Sequence, residues 1–209
     1  MSNYPSDIYT EPSNLDVRTL SNLGPLTRMA GIWEGKKGVD VKPEADGPAS
    51  QEYIERYELQ PIDPQTNGPQ VLYGLRYHTH IVKPGEVEMY HDQVGYWLWE
   101  PATGSVIQTI AIPRGQVAMA VGRTTAEAKS FELVAARGVE TNGICSNPFI
   151  ERNFTTTEFR IKVSINADGT WSYEQTTVLM IRGTQKFDHT DRNTLHRIGE
   201  AVPNPLARG

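Results

Sequence analysis

Apolar and polar residues alternate along most of this chain, and helical spacing is almost absent, so the pattern predicts β structure nearly throughout. The segment from Glu158 to Ile165 puts Phe159, Ile161, Val163 and Ile165 on one face, and Glu158, Arg160, Lys162 and Ser164 on the other. A turn signal, Asn166-Ala167-Asp168-Gly169, follows, and Trp171, Tyr173, Gln175, Thr177 and Leu179 alternate along the partner, which makes a β-hairpin. Residues 32–41, 51–59, 71–82, 87–99, 105–112, 116–123, 129–136 and 190–198 read the same way and bring the total to about ten strands.

Short Gly and Pro turns, such as Pro84-Gly85 and Pro113-Arg114-Gly115, join most of these runs and favour antiparallel neighbours. A meander of this size sheds its two edges by closing, so the expected fold is all-β, a single ten-stranded antiparallel up-and-down barrel around a cavity. Helix is expected only before the first strand, where Asn14 or Asp16 is placed to cap residues 17–22 and Gly24-Pro25 to stop them. The expected divisions are an arm and short helix (1–22), the barrel (23–199) and a tail (200–209). Loops 42–50 and 60–70, with the long non-periodic stretch 137–153, are expected at the cavity mouth.

Composition narrows the function. The 209 residues carry 20 Lys and Arg against 25 Asp and Glu, a net charge of −5 with no basic block, which argues against a nucleic-acid partner. No apolar run reaches the 18 residues a membrane helix needs, and the opening residues lack a signal-peptide pattern, so a soluble, cytoplasmic protein is expected. The single cysteine, Cys145, permits no intrachain disulfide and has no activating neighbour, so it reads as a bystander thiol in a reducing compartment. No G-x-S-x-G, H-E-x-x-H or P-loop is present, and whether any reaction is catalysed stays open.

The candidate chemistry rests on five histidines. His91 and Gln93 share a strand face with Met89, Trp97 and Trp99; they either orient a ligand in an apolar cavity or hydrogen-bond a neighbouring strand. His78 and His80, one pleat apart, have the spacing of a metal pair if a carboxylate is near, but Arg76 shares their face, which favours a solvated surface. Asp188 and Asp191 flank His189, each able to take one imidazole N–H, although a turn residue is the plainer reading. His196 reads as surface.

Four segments, in order, resemble the nitrobindin family of haem-binding β-barrels. Gly31-Ile32-Trp33-Glu34-Gly35, after Leu23-Gly24-Pro25-Leu26, resembles its G-x-W-x-G-x-G strand, with Lys37 at the third glycine. His91-Asp92-Gln93-Val94-Gly95-Tyr96 resembles H-x-E-x-G-Y, with Gln93 for the glutamate, and Ala111-Ile112-Pro113-Arg114-Gly115 resembles A-H-P-T-G, with Ile112 for the histidine. His189 to Arg197 resembles the closing segment that carries the axial histidine. The resemblance implies a ten-stranded barrel, haem b held by His189 on ferric iron with the opposite position open to nitric oxide or peroxynitrite, and Trp33, Gly35, His91 and Gln93 in the wall around it. The alternative expectation is a metal-free carrier of a small apolar ligand, as in fatty-acid-binding proteins, with His91, Gln93 and Arg76 meeting its polar end.

Overall fold

In the computed structural model, which describes residues 4–204, the alternating runs become twelve strands. They are β1 (Gly31–Glu44), β2 (Gly47–Pro61), β3 (Gln65–Asn67), β4 (Gln70–Val82), β5 (Met89–Glu100), β6 (Ser105–Ile112), β7 (Gln116–Arg123), β8 (Ser130–Ala136), β9 (Ile144–Ser146), β10 (Phe154–Ile165), β11 (Trp171–Ile181) and β12 (Gln185–Gly199). Ten of them form a closed antiparallel barrel, because β1 pairs with both β2 and β12 while β2 also pairs with β4. Short β3 and β9 pair with β4 and β7 alone. Closure leaves no long unpaired edge.

The helical pieces cover only four, six and six residues: α1 (Thr19–Asn22), a 3-10 helix (Gly24–Met29) and α2 (Pro148–Asn153). The first differs from expectation. Asp16 accepts from the backbone N–H and guanidinium of Arg18 rather than capping a helix, so α1 starts at Thr19. Gly24-Pro25 also does not end the helical path; Pro25 opens the 3-10 helix, where its missing N–H is no loss. Leu23, Leu26 and Met29 from this segment are fully buried and plug one end of the barrel. The loop after β2 sits at this plugged end, since Ile62 O accepts from Thr19 Oγ1 and Ile62 N donates to Gly74 O. It does not border the mouth. Of the expected terminal segments, residues 1–3 and 205–209 lie outside the described residues.

The opposite end is open. Segment 42–50, expected as a loop, is a tight hairpin in which Glu44 pairs with Gly47. Between β7 and β8 the ladder shrinks to one register pair, Val121 with Val134. The 137–153 stretch fills the gap: β9 pairs with β7, and α2 follows, capped by Asn147 Oδ1 accepting from the N–H groups of Phe149 and Ile150. Cys145, in β9, is exposed and stands among none of the groups below.

Candidate functional site

Two bulges decide which side chains face the cavity. Facing β2, three steps along β1 from Gly35 to Gly38 oppose only two, from Glu55 to Tyr53, so β1 carries one extra residue there. Lys36 and Lys37 both point outward, and the inward set passes from Trp33 and Gly35 to Gly38 and Asp40. Strict alternation from Trp33 would have put Asp40 outside. The glycines are required by space: a Cβ on Gly35 would lie 2.3 Å from the Asn193 amide, and one on Gly38 2.1 Å from the Tyr53 ring. On β5 the register skips Tyr90, since Ile81 pairs with His91 and Val82 with Met89. The bulge lets Tyr90 and His91, adjacent in sequence, both line the cavity.

The cavity encloses about 610 Å³ and deepens through three layers. At the floor, Tyr57, Trp97 and Trp171 pack edge to face or tilted against their neighbours, and Trp97 Nε1 donates to Tyr57 Oη at 3.0 Å. Trp171 Nε1 and Gln108 Oε1, both buried, meet no hydrogen-bond partner among the described residues. In the middle lies Glu55, fully buried. Its carboxylate accepts from Thr79 Oγ1 at 2.7 Å, Tyr173 Oη at 2.9 Å and Asn193 Nδ2 at 3.0 Å. Burial pushes its carboxyl pKa up, against the three donors.

At the mouth, Asp40, His189 and Asp191 meet. Their ligating atoms all lie within 4.8 Å of one another. His189 Nε2 donates to Asp40 Oδ1 at 2.6 Å and stands 3.9 Å from Asp191 Oδ2, while Tyr90 Oη donates to Asp40 Oδ2 at 2.5 Å. Burial alone would depress the imidazole, but the Asp40 hydrogen bond and the two carboxylate charges raise its pKa. Asp40 resists its own burial and stays below the usual carboxylate range because His189 and Tyr90 both donate to it. Asp191 gives way instead: burial, with the Asp40 charge adding to it, pushes it up to about 6. The cluster thus sets the His189 imidazole beside one firm carboxylate, Asp40, and one carboxyl that holds its proton more tightly, Asp191.

The sequence-predicted residues divide between two regions. His189, His91 and Gln93 line the cavity, with His189 inside β12 rather than in a turn. His91 Nε2 approaches Gln93 Oε1 at 3.4 Å, and Gln93 Nε2 donates to Tyr77 Oη at 2.7 Å. Burial lowers the His91 pKa, so this second imidazole is neutral at pH 7. Trp33 and Gly35 lie elsewhere: Trp33, fully buried, donates from Nε1 to Met29 O and carries the Arg197 guanidinium 4.8 Å over its ring, at the plugged end. Of the two flanking aspartates, Asp191 faces the imidazole, whereas Asp188 pairs with Lys186 at 3.3 Å on the outer face. Arg76, His78 and His80 are on the outside, as is exposed His196.

Sequence reading missed Asp40 and Tyr90, each re-aimed by a bulge. A signal for the first was present: the family-like motif's third glycine falls one place late, at Gly38, and glycine within a strand marks a bulge. The 137–153 stretch was expected at the mouth, but not its helix α2, in which Phe149, 67% exposed, lies tilted against Phe154 to form an apolar lip.

Comparison with known proteins agrees with this architecture. The family model described as "THAP4-like, heme-binding beta-barrel domain" matches residues 22–197. A solved structure, "Crystal Structure of Rv2717c from M. tuberculosis", is similar at a TM-score of 0.61 and 23% identity, over 88% of this chain and 99% of that one. No curated protein matches the chain. With that match spanning nearly the whole barrel, the chain belongs to the THAP4-like haem-binding β-barrel family, the nitrobindins.

Proposed function

We propose that the protein binds haem at the barrel mouth, with His189 as the axial ligand to iron. The observation that carries this reading is a half-buried imidazole on β12 at the rim of an aromatic, aliphatic cavity of about 610 Å³, a volume within the range of small-molecule sites. The donor set suits the group. Ile110, Ile112, Phe159 and Leu179 offer apolar wall to a macrocycle, and Arg114 and Lys42 at the mouth offer cations to its carboxylates. For Nε2 to ligate iron, its hydrogen bond to Asp40 would have to open, and Asp191, whose carboxyl is pushed up to about 6, is the flanking group suited to take the proton. His91, bonded to Gln93, is the only other imidazole lining the cavity among the described residues. The cofactor, when bound, supplies an iron position open to nitric oxide or peroxynitrite. Haem b is the form proposed, and a cytoplasmic site of action agrees with the lone exposed thiol.

A second reading, the metal-free carrier, is favoured by Trp171 Nε1 and Gln108 Oε1. A ligand with a polar end at the floor would find there one donor and one acceptor without a partner among the described residues. Absorption spectroscopy during hemin titration separates the two: a histidine-type Soret band supports haem, and its absence with retained binding of a fluorescent fatty acid supports the carrier.

A further inference from the structure

On the outer wall, far from any role proposed above, three metal-ligating side chains converge. His78 and His80 project from β4, and Asp92 projects from the neighbouring β5 directly opposite His80 and diagonal to His78. One oxygen serves both rings: Asp92 Oδ2 lies 2.8 Å from His78 Nε2 and 3.4 Å from His80 Nδ1. All three ligating atoms fall within 4.8 Å of one another. Tetrahedral coordination at metal–nitrogen and metal–oxygen distances of about 2.0–2.2 Å places neighbouring donors roughly 3.3–3.6 Å apart. The His80–Asp92 spacing already matches, and the His78–Asp92 pair has to open by about half an ångström.

We infer that His78, His80 and Asp92 form a surface site for a divalent first-row transition ion such as Zn²⁺. Two imidazoles with one carboxylate suit zinc, copper and nickel, and three protein donors leave coordination positions open. Arg76 on the same face is the objection. It stands two residues from His78, roughly 6.6 Å along the strand, and twice that from His80. Opposite His78 on β2 is Glu58, and opposite His80 is Arg56, which is held by Glu58 at 2.7 Å. The two guanidiniums and the carboxylates of Glu58 and Asp92 sum to no formal charge, and Arg56 is already engaged by Glu58. The two side chains nearest the solvent, His78 and His80, are 49% and 42% exposed, so an ion has free access.

The site commits to an ion on the outer wall and does not depend on haem. The test is isothermal titration of Zn²⁺ into the full chain after chelator treatment and dialysis, in a weakly coordinating buffer. The expected result is one ion per chain, an affinity about tenfold or more weaker in His80→Gln and in Asp92→Asn, and no binding in the His78→Gln/His80→Gln double variant. Circular dichroism should be unchanged in these variants, since the side chains stand on the outer face. Absence of binding by the wild type overturns the inference, as does binding that survives in the double variant. Survival there combined with loss in His189→Ala would place the ion in the barrel mouth instead.

Discussion

Asp40 and His189, 149 positions apart in the chain, are joined by a 2.6 Å hydrogen bond between Oδ1 and Nε2. Adjacent strands carry them: Asp40 pairs in register with Asp191, two residues beyond His189 on β12. The bulge between Gly35 and Gly38 makes the contact possible by turning Asp40 inward.

The first prediction follows from the sign of the His189 shift. Its pKa is raised in the folded state, so the stability from its imidazolium is fully present below its unfolded pKa of about 6.5 and is lost as pH rises through the folded value. Asp40→Asn should therefore lower stability more at pH 6, by roughly 1–3 kcal/mol, than at pH 9. Thermal melts of both proteins at the two pH values check this, and an equal loss at both would contradict it.

Much of this architecture was legible in the chain. Strands β6 and β7 begin and end where alternation predicted: β6 lies between two Gly and Pro turns and β7 opens after the second of them, although no Gly or Pro follows its end at Arg123. Parity put His91 and Gln93 on one face with Trp97 and left its direction open; the structure turns that face to the cavity. Parity failed where one residue was inserted. Asp40 and Tyr90 sit just beyond or within bulges, and a period-two pattern has no memory of an extra residue. The 137–153 stretch does border the cavity as expected, but its elements were not legible: β9 has three residues and α2 six, too short for any period to show.

The bulge itself can be tested through its glycines. In Gly38→Ala the added methyl meets the buried Tyr53 ring at 2.1 Å, and that ring is held by a 2.8 Å bond from its hydroxyl to Tyr173. Overpacking of this kind costs about 1–3 kcal/mol. In a domain of this size each kcal/mol moves the melting temperature by roughly 2–4 °C. Differential scanning fluorimetry should show the drop, whereas Gly169→Ala, whose methyl meets nothing within 4 Å, suffers only from its positive φ of 86°.

A buried carboxylate with a raised pKa penalises the folded state as pH rises. Glu55 is such a group, so its unfavourable contribution should grow from about pH 4.5 upward, through the folded value. Glu55→Gln keeps the shape and removes the charge. Its melting temperature is expected to gain on the wild type between pH 5 and pH 9, read by circular dichroism. A gap that widens in the opposite direction would show that Thr79, Tyr173 and Asn193 hold the ionised form without penalty.

The proposed haem site turns on whether His189, rather than His91, offers iron its nitrogen. Hemin titration followed at the Soret band is the direct measurement, run on the wild type, His189→Ala and His91→Ala. Ligation by His189 gives a histidine-ligated spectrum in the wild type, its loss in His189→Ala, and its retention for the most part in His91→Ala. A wild type that takes up no hemin, or a band lost only in His91→Ala, would contradict it.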